Sequence, residues 1–137
     1  MDQQERPLSV VLFSGTDDKL NAAAVLAVGA AAMGRQVNIF VQYYALDAFR
    51  TGRVTADHKL SPEATPEQTP AVRARPGNHW SELLKQAKDV GEVDIQACAL
   101  SMDMFHLKKG DFCPEVDDVI SVGQFYEKAA GGQIIFT

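Results

Sequence analysis

Short runs of β-branched and aromatic residues alternate along the chain with longer helical stretches. The runs predict strands over residues 8–13, 37–41, 93–98, 119–122 and 133–136. Helical signals cover residues 17–33, 43–50, 80–90 and 123–130, and glycines follow the first, third and fourth of these. A strand, a helix and a strand within about 35 residues indicate a βαβ unit and parallel pairing. The pattern therefore predicts one α/β domain over residues 1–137, with a five-stranded, mainly parallel sheet and helices on both faces.

The first helix is apolar on almost every side. Its longest apolar stretch, residues 22–33, has 12 residues and is rich in alanine. This is short of the roughly 20 residues that a membrane-spanning helix needs. A helix without a polar face has to be covered on more than one side, and its small residues allow close approach to the sheet or to another subunit. We expect a homo-oligomer; the alternative is that the domain itself wraps this helix.

Residues 52–79 break the pattern. Four of the six prolines of the chain lie in this segment, which has no hydrophobic period. Loops of this length are uncommon in compact domains and are usually functional or disordered. We expect a long mobile loop here, running over the surface of the domain.

Composition excludes several classes of function. The net charge of −5 argues against nucleic acid as a partner, because a phosphate-binding face usually brings a basic excess. The two cysteines and three histidines lack metal-ligand spacing, and no glycine-rich nucleotide motif is present, so we expect neither a metal nor a cofactor. The polar N-terminus is unlike a signal peptide, which favours a cytoplasmic protein with no membrane segment.

Cys98 is the strongest candidate for chemistry. It closes the predicted strand over residues 93–98, and a helix follows, with Ser101 as its expected N-cap. Ligands bind at the carboxyl ends of the strands in open α/β sheets, and a helix N-terminus favours the reactive thiolate. An inert, buried thiol is the alternative, because unpaired cysteines often pack as small apolar side chains.

Other residues at predicted strand ends are candidates for lining a pocket. Ser14 and Gly15 follow the first strand, and Tyr43 and Tyr44 follow the second. With Ser101, these residues form our predicted lining of the site. Cys113 is expected to be a loop thiol, and a resolving role, in which it forms a disulfide with Cys98, stays open.

Three segments resemble one protein family in their order and spacing. They are residues 11–19 with the end of the alanine-rich helix at 31–34, residues 37–46, and residues 97–109 followed by 119–125. Together they resemble the DsrE/DsrF-like, TusD-related family of small sulfur-relay proteins. The resemblance covers most of the chain outside residues 1–7 and 52–79, and it implies a Rossmann-like, three-layer DsrE/F-like fold.

The resemblance also implies a function. A cysteine at the position of Cys98 carries sulfane sulfur in this family, as a persulfide or thiosulfonate, and passes it between partner proteins. This implies a sulfur carrier or sulfurtransferase in cytoplasmic sulfur metabolism, with other sulfur-carrier proteins as donor and acceptor. It also implies a homo-oligomer, a trimer or a multiple of one. Some members lack the cysteine, so a non-catalytic scaffold subunit with a structural Cys98 is the alternative. The family pattern has no counterpart for Cys113.

Overall fold

The computed structural model describes residues 6–74 and 77–137. This part of the chain forms five strands, six α-helices and a short 3₁₀ turn. The elements are β1 (Leu8–Leu12), α1 (Asp17–Ala32), β2 (Val37–Val41), α2 (Ala45–Ala48), α3 (Gln68–Arg73), α4 (Trp80–Val90), β3 (Val93–Cys98), α5 (Ala99–Met104), the 3₁₀ turn Lys109–Asp111, β4 (Asp118–Ile120), α6 (Val122–Ala129) and β5 (Gln133–Phe136).

The five strands form one sheet in the order β4-β3-β2-β1-β5, and every pairing is parallel. Val10, Ile39 and Ile95 lie side by side across its three central strands. This confirms the predicted fold, a single α/β domain with a five-stranded parallel sheet. The chain steps outward from β1 to β4, and α6 then returns it to β5 on the other side of β1.

The two faces of the sheet are covered unequally. On the face that we call the α1/α4 face, α1 and α4 pack over the larger of two hydrophobic clusters, and Trp80, Phe49 and Leu84 are buried there. On the opposite face, the α6 face, the smaller cluster consists of Val11, Phe40, Cys98, Ile120, Phe125 and Ala129. The sheet therefore lies between a larger hydrophobic cluster on the α1/α4 face and a smaller one on the α6 face.

Small side chains explain how closely α1 packs. Its buried positions include Ala23, Ala27 and Ala31, and it lies against α4. A Cβ on Gly91, just after α4, would be 2.9 Å from the carbonyl oxygen of Ala31. Gly34 ends α1 in the left-handed region, with φ of +83°, as the sequence predicts.

The strand boundaries differ most from the prediction at β4, while β1 ends one residue earlier than predicted. The sequence predicts a strand over residues 119–122, but β4 ends at Ile120 and Ser121 is the N-cap of α6. Ser121 Oγ accepts a hydrogen bond from the Gln124 N–H at 3.2 Å, and Gln124 Oε1 accepts one from the Ser121 N–H at 2.9 Å. This capping box takes the place of two strand residues.

Residues 52–74 fold back on the first turn of α1. They consist of turns, irregular chain and the short helix α3, which the sequence does not predict. The Ser61 N–H donates to Asp18 Oδ1 at 3.1 Å, and the Asp17 N–H donates to the Lys59 carbonyl at 2.9 Å. Arg75 and Pro76 lie outside the described residues, as do residues 1–5. The mobility of this segment stays a prediction, which limited proteolysis tests.

Two broader features can be stated for the described ranges. Within residues 6–74 and 77–137, no helix is both long and apolar enough to cross a membrane. In the same two ranges, no group of three or more His, Cys, Asp or Glu side chains is arranged to hold a metal ion.

Candidate functional site

Cys98 lies where the strand and helix patterns place it. It is the last residue of β3 and the N-cap of α5, with extended backbone angles (φ −75°, ψ 118°). The expectation that Ser101 is the N-cap is wrong, because α5 starts three residues earlier than that expectation requires and Ser101 is its third residue. Since α5 has only six residues, its dipole is short, and the thiol depends more on its immediate surroundings.

The thiol of Cys98 is buried under α6. Only 1% of the residue is exposed, and it packs in the small cluster of the α6 face. Phe125 of α6 stacks on Phe40 of β2, with ring centroids 4.7 Å apart and planes 10° apart. A strand end alone therefore does not provide access, contrary to the argument from sequence, because α6 crosses the sheet above it.

Few polar contacts hold α6 down. Asn38 Nδ2 donates to the Lys128 carbonyl at 3.2 Å and to Ser9 Oγ at 3.2 Å. Lys128 Nζ lies 3.7 Å from Asp94 Oδ2, and both side chains are partly exposed. One aromatic stack, one partly buried hydrogen bond and one weak ion pair thus hold this eight-residue helix, together with the burial of Phe125 and Ala129.

Two polar side chains close to Cys98 in the chain are buried. Gln96 is 2% exposed and Ser101 is 0% exposed. Gln96 Oε1 and Ser101 Oγ have no hydrogen-bond partner within the part of the chain that the structure describes. Ser101, predicted to line an open pocket, thus belongs to the interior around the start of α5.

The other predicted lining residues lie along two clefts at the carboxyl edge of the sheet. Ser14, Gly15 and Tyr44 line a polar cleft of about 340 Å³ that also includes Arg53 and Lys59. Tyr43 and Tyr44 line a second cleft, of about 410 Å³, with Asp47, Arg50, Phe105 and Leu107. Cys98 lines neither cleft, so the structure does not gather all the predicted site residues into one pocket.

The turns after β1 and β2 are packed tightly together. A Cβ on Gly15 would lie 2.5 Å from the Tyr44 carbonyl oxygen, so only glycine fits without a shift of the backbone. Tyr43 has a φ of +43°, which is strained for a residue with a side chain. The Ala45 N–H donates to the Phe13 carbonyl at 3.2 Å. Both turns are thereby held in one arrangement.

Aromatic side chains form an exposed cluster at this edge. The Phe13 ring lies 4.7 Å from Tyr43, 5.5 Å from Tyr44 and 5.7 Å from Phe136, measured between centroids. Phe105, after α5, approaches Tyr43 at 6.4 Å. Because Tyr44 and Phe136 are more than 60% exposed, this edge presents an apolar surface next to the end of β3.

Cys113 lies on the other side of the sheet. It is buried in the cluster of the α1/α4 face, and its N–H donates to the Phe49 carbonyl at 2.9 Å. Burial raises the pKa of the Cys113 thiol, and the negative charge of Glu115 raises it further. Both cysteines are thiols, and because the sheet separates their clusters, a disulfide with Cys98 requires a large rearrangement.

Sequence reasoning missed a buried ionic cluster around Asp17. This carboxylate is 5% exposed and accepts hydrogen bonds from the His58 N–H at 2.7 Å, Trp80 Nε1–H at 3.1 Å and Arg73 at 2.5 Å. The same elements form a cleft of about 380 Å³. In the sequence, two adjacent aspartates at the start of a helix suggest only a favourable interaction with the helix dipole. The hydrogen-bond partners of Asp17 lie 41 to 63 residues away, so no local sequence pattern predicts them.

Asp18, the next residue of α1, also binds the segment that follows α2, through the Ser61 N–H. Partial burial acts to raise the pKa of this carboxyl, but hydrogen bonds from Ser61 and Thr16 outweigh it, so the pKa lies below its ordinary value of 3.8. The charged form of Asp18 therefore holds the chain around Ser61 against α1 at neutral pH.

Comparison with known proteins places this fold in a family. The chain is 42% identical, over a 141-residue alignment covering 85% of it and 88% of the relative, to the uncharacterized protein YrkE of Bacillus subtilis (strain 168). Its fold is similar to that of MTH1491, a protein of unknown function from Methanobacterium thermoautotrophicum (TM-score 0.62, 12% identity, 97% of this chain and 100% of that one). It is also similar to the fold of the ychN protein from E. coli (TM-score 0.57, 12% identity, 97% of this chain and 99% of that one).

The family profile matches nearly the whole sequence. The DsrE/DsrF/DrsH-like family matches residues 4–78 and 71–136, and the second match includes Cys98, α5 and α6. The sequence resemblance is thereby confirmed: the chain belongs to the DsrE/DsrF/DrsH-like family.

Proposed function

We propose that the protein is a sulfur carrier or sulfurtransferase that holds sulfane sulfur on Cys98. The observation that carries this proposal is the position of Cys98, at the carboxyl end of β3 within the region that matches the DsrE/DsrF/DrsH-like family. Membership of that family suggests a sulfur-relay role. Thiol exchange needs only a thiolate with access to its partner and requires neither a metal nor a cofactor.

The transfer follows thiol–disulfide chemistry. The Cys98 thiolate attacks the outer sulfur of a donor persulfide, R–S–SH, and a new S–S bond forms as the donor S–S bond breaks. The electron pair leaves with R–S⁻, and the hydrogen stays on the transferred sulfur. The products are the Cys98 persulfide and the donor thiolate, so no external oxidant or reductant is consumed.

Access to Cys98 comes from displacement of α6. Phe125 closes the α6 face over the thiol, and the anchors of α6 are few. A partner that docks on the exposed aromatic side chains near the end of β3 is well placed to bind the open form and to stabilise it. The buried resting state protects the persulfide from bulk reductants between transfers.

We also infer the setting of this activity. The donor and acceptor are other sulfur-carrier proteins in the cytoplasm, and nucleic acid is not a partner of a chain with a net charge of −5.

Self-association is proposed through the outer face of α1. Val25, Leu26 and Met33 are each 46% or more exposed on this helix. A second copy is the expected cover, in a trimer or a multiple of one. Light scattering at micromolar concentration should give a mass above 14.9 kDa; a monomer mass overturns this proposal.

Mass measurement of loaded protein tests the function. Wild type, Cys98→Ser and Cys113→Ser are incubated with polysulfide or a thiosulfonate and weighed intact and as peptides. Wild type and Cys113→Ser should gain an adduct on Cys98 that dithiothreitol removes, and Cys98→Ser should gain none at that position. Loading of Cys98→Ser at the wild-type level, or loading only at Cys113, contradicts the assignment.

A scaffold subunit is the second candidate, and one observation favours it. Cys98 packs among apolar side chains with 1% exposure, as a purely structural cysteine does. In that case no variant gains sulfur, and Cys98→Ser instead destabilises the fold by placing a hydroxyl in an apolar cluster.

A further inference from the structure

The two edges of the sheet are built differently. β4 is short, and Asp118 within it and Asp117 just before it are both exposed. Short length and charged side chains are common means of keeping a sheet edge from pairing with another strand. β5, at the opposite edge, has the sequence Gln-Ile-Ile-Phe, without a charge or a proline, and its register with β1 runs without a bulge. The β5 edge thus lacks the protection that the β4 edge has.

The hydrogen bonds between β5 and β1 show which backbone groups of β5 are left over. The N–H groups of Gln133 and Thr137 donate to carbonyl oxygens of the β1 chain at 3.1 Å and 2.9 Å. Backbone groups alternate in direction along a strand, so Ile135 also faces β1. Ile134 and Phe136 therefore direct their N–H and C=O groups away from β1. Among the described strands, β5 pairs with β1 alone.

The side chains of these two residues are exposed as well. Ile134 is 48% exposed and Phe136 is 65% exposed. Phe136 is in register with Val11, so it lies on the α6 face of the sheet, and Ile134 lies two residues away on the same face. α6 packs on β1 and β2. The edge therefore presents unpaired backbone groups and apolar surface together.

A second copy of β5 is complementary to this edge. In an antiparallel pair centred on Ile135, Ile134 of each copy lies opposite Phe136 of the other, and each such pair exchanges both of its N–H···O bonds. All the outward N–H and C=O groups of both strands are thereby satisfied. The same register places isoleucine against phenylalanine on the α6 face, a type of cross-strand pair that stabilises sheets. Since β5 carries no charge, the two strands bring no like charges together.

We propose that two copies of the chain associate through β5, antiparallel and centred on Ile135, so that their two sheets become one continuous sheet. The contact is isologous, because each copy contributes the same residues, and it is closed once two copies have paired. It uses the sheet edge, whereas the association proposed above uses the outer face of α1. It is also independent of sulfur chemistry at Cys98.

Amide hydrogen exchange of wild type tests the contact residue by residue. The amides of Ile134 and Phe136 should exchange at least about tenfold more slowly at concentrations where light scattering shows association than in the dilute monomer. The amides of Ile135 and Thr137 face β1 and are the internal controls, protected at every concentration. Slow exchange of Ile134 and Phe136 in the monomer overturns the proposal, because the edge is then covered within one chain. Fast exchange of both at every concentration overturns it as well.

A proline substitution tests the same contact through the mass of the assembly. Ile134→Pro removes an N–H that β1 does not use, so pairing with β1 is retained while the outer edge loses a donor. Ile134→Thr is the matched control, since threonine keeps both the N–H and a β-branched side chain. Both substitutions are combined with Leu26→Glu, which places a charge on the exposed face of α1 and removes association there.

The expected masses separate the two interfaces. Leu26→Glu, alone or with Ile134→Thr, should give twice the monomer mass of 14.9 kDa in light scattering. Leu26→Glu with Ile134→Pro should dissociate at a concentration at least about tenfold higher. Equal dissociation of the proline and threonine variants contradicts pairing through β5, as does a monomeric Leu26→Glu protein at all concentrations. If wild type and Leu26→Glu both have twice the monomer mass, β5 pairing stands and association through α1 fails. The exchange measurement requires no variant, so it decides the question even if the proline variant does not fold.

Discussion

The two cysteines lie on opposite faces of one sheet, and their surroundings differ more than their burial. Cys113 is in the larger cluster, under the layer that α1 and α4 form, with backbone hydrogen bonds around it. Cys98 is as deeply buried, but in the smaller cluster, to which the eight-residue helix α6 contributes Phe125 and Ala129. Exposure in the closed structure is therefore a poor guide to reactivity. What distinguishes the thiols is the free energy of the smallest opening that uncovers each one.

The largest expected effect is on the cover of Cys98. Phe125→Ala removes the ring that stacks on Phe40 and should cost about 3 kcal/mol. Each 1.4 kcal/mol is about tenfold, so Cys98 alkylation should accelerate roughly a hundredfold, while Cys113 alkylation changes far less. Rates are measured by peptide mass under native conditions.

Leu84→Ala, on the α1/α4 face, is the control for this variant. It should lower the free energy of global unfolding by about 2–5 kcal/mol without a comparable change in Cys98 alkylation. Equal acceleration at Cys98 by both variants would show that α6 opens only with the whole domain.

A smaller effect is expected at the buried hydrogen bond of α6. Asn38→Leu removes the bond to the Lys128 carbonyl, a loss of about 1 kcal/mol, and should speed Cys98 alkylation about fivefold. Ser9→Ala leaves that bond in place and should have little effect. If Cys98 is alkylated as fast in Ser9→Ala as in Asn38→Leu, the sheet, and not α6, controls access to the thiol.

The smallest effect concerns pH and the other thiol. The pKa of Cys113 is raised in the folded protein, so the neutral thiol is favoured there relative to the unfolded chain. Its contribution to stability is complete below the ordinary pKa of 9.0 and is lost as the pH rises through the folded value. Above about pH 9, the free energy of denaturant unfolding should fall more steeply for wild type than for Cys113→Ala. Parallel pH curves for the two proteins contradict this.

Local patterns accounted for most of the fold. The runs over residues 37–41, 93–98 and 133–136 are strands with the predicted bounds, because their β-branched and aromatic residues leave a local signal. Gly34 ends α1 for an equally local reason, since glycine readily adopts the left-handed region. The start of α5 was misplaced, since Cys98 itself caps the helix through its backbone conformation.

The site depended on contacts that no local pattern contains. The position of Cys98 at a strand end follows from residues 93–98, but its burial follows from Phe125, which comes 27 positions later. The bonds from His58, Arg73 and Trp80 to Asp17 are equally non-local. Such contacts depend on topology, so a single sequence read in windows cannot supply them.

The buried contact between Trp80 and Asp17 has a practical consequence. Trp80 is the single tryptophan of the chain, and its indole is fixed on the α1/α4 face. Its fluorescence will therefore report the loss of that face and of the anchoring of His58 and Arg73 on Asp17, but it will not respond when only α6 lifts. Thermal unfolding followed by tryptophan emission and a time course of Cys98 labelling on one sample thus observe opposite sides of the same sheet. The difference between the free energies of opening that they give measures how independently the two sides open.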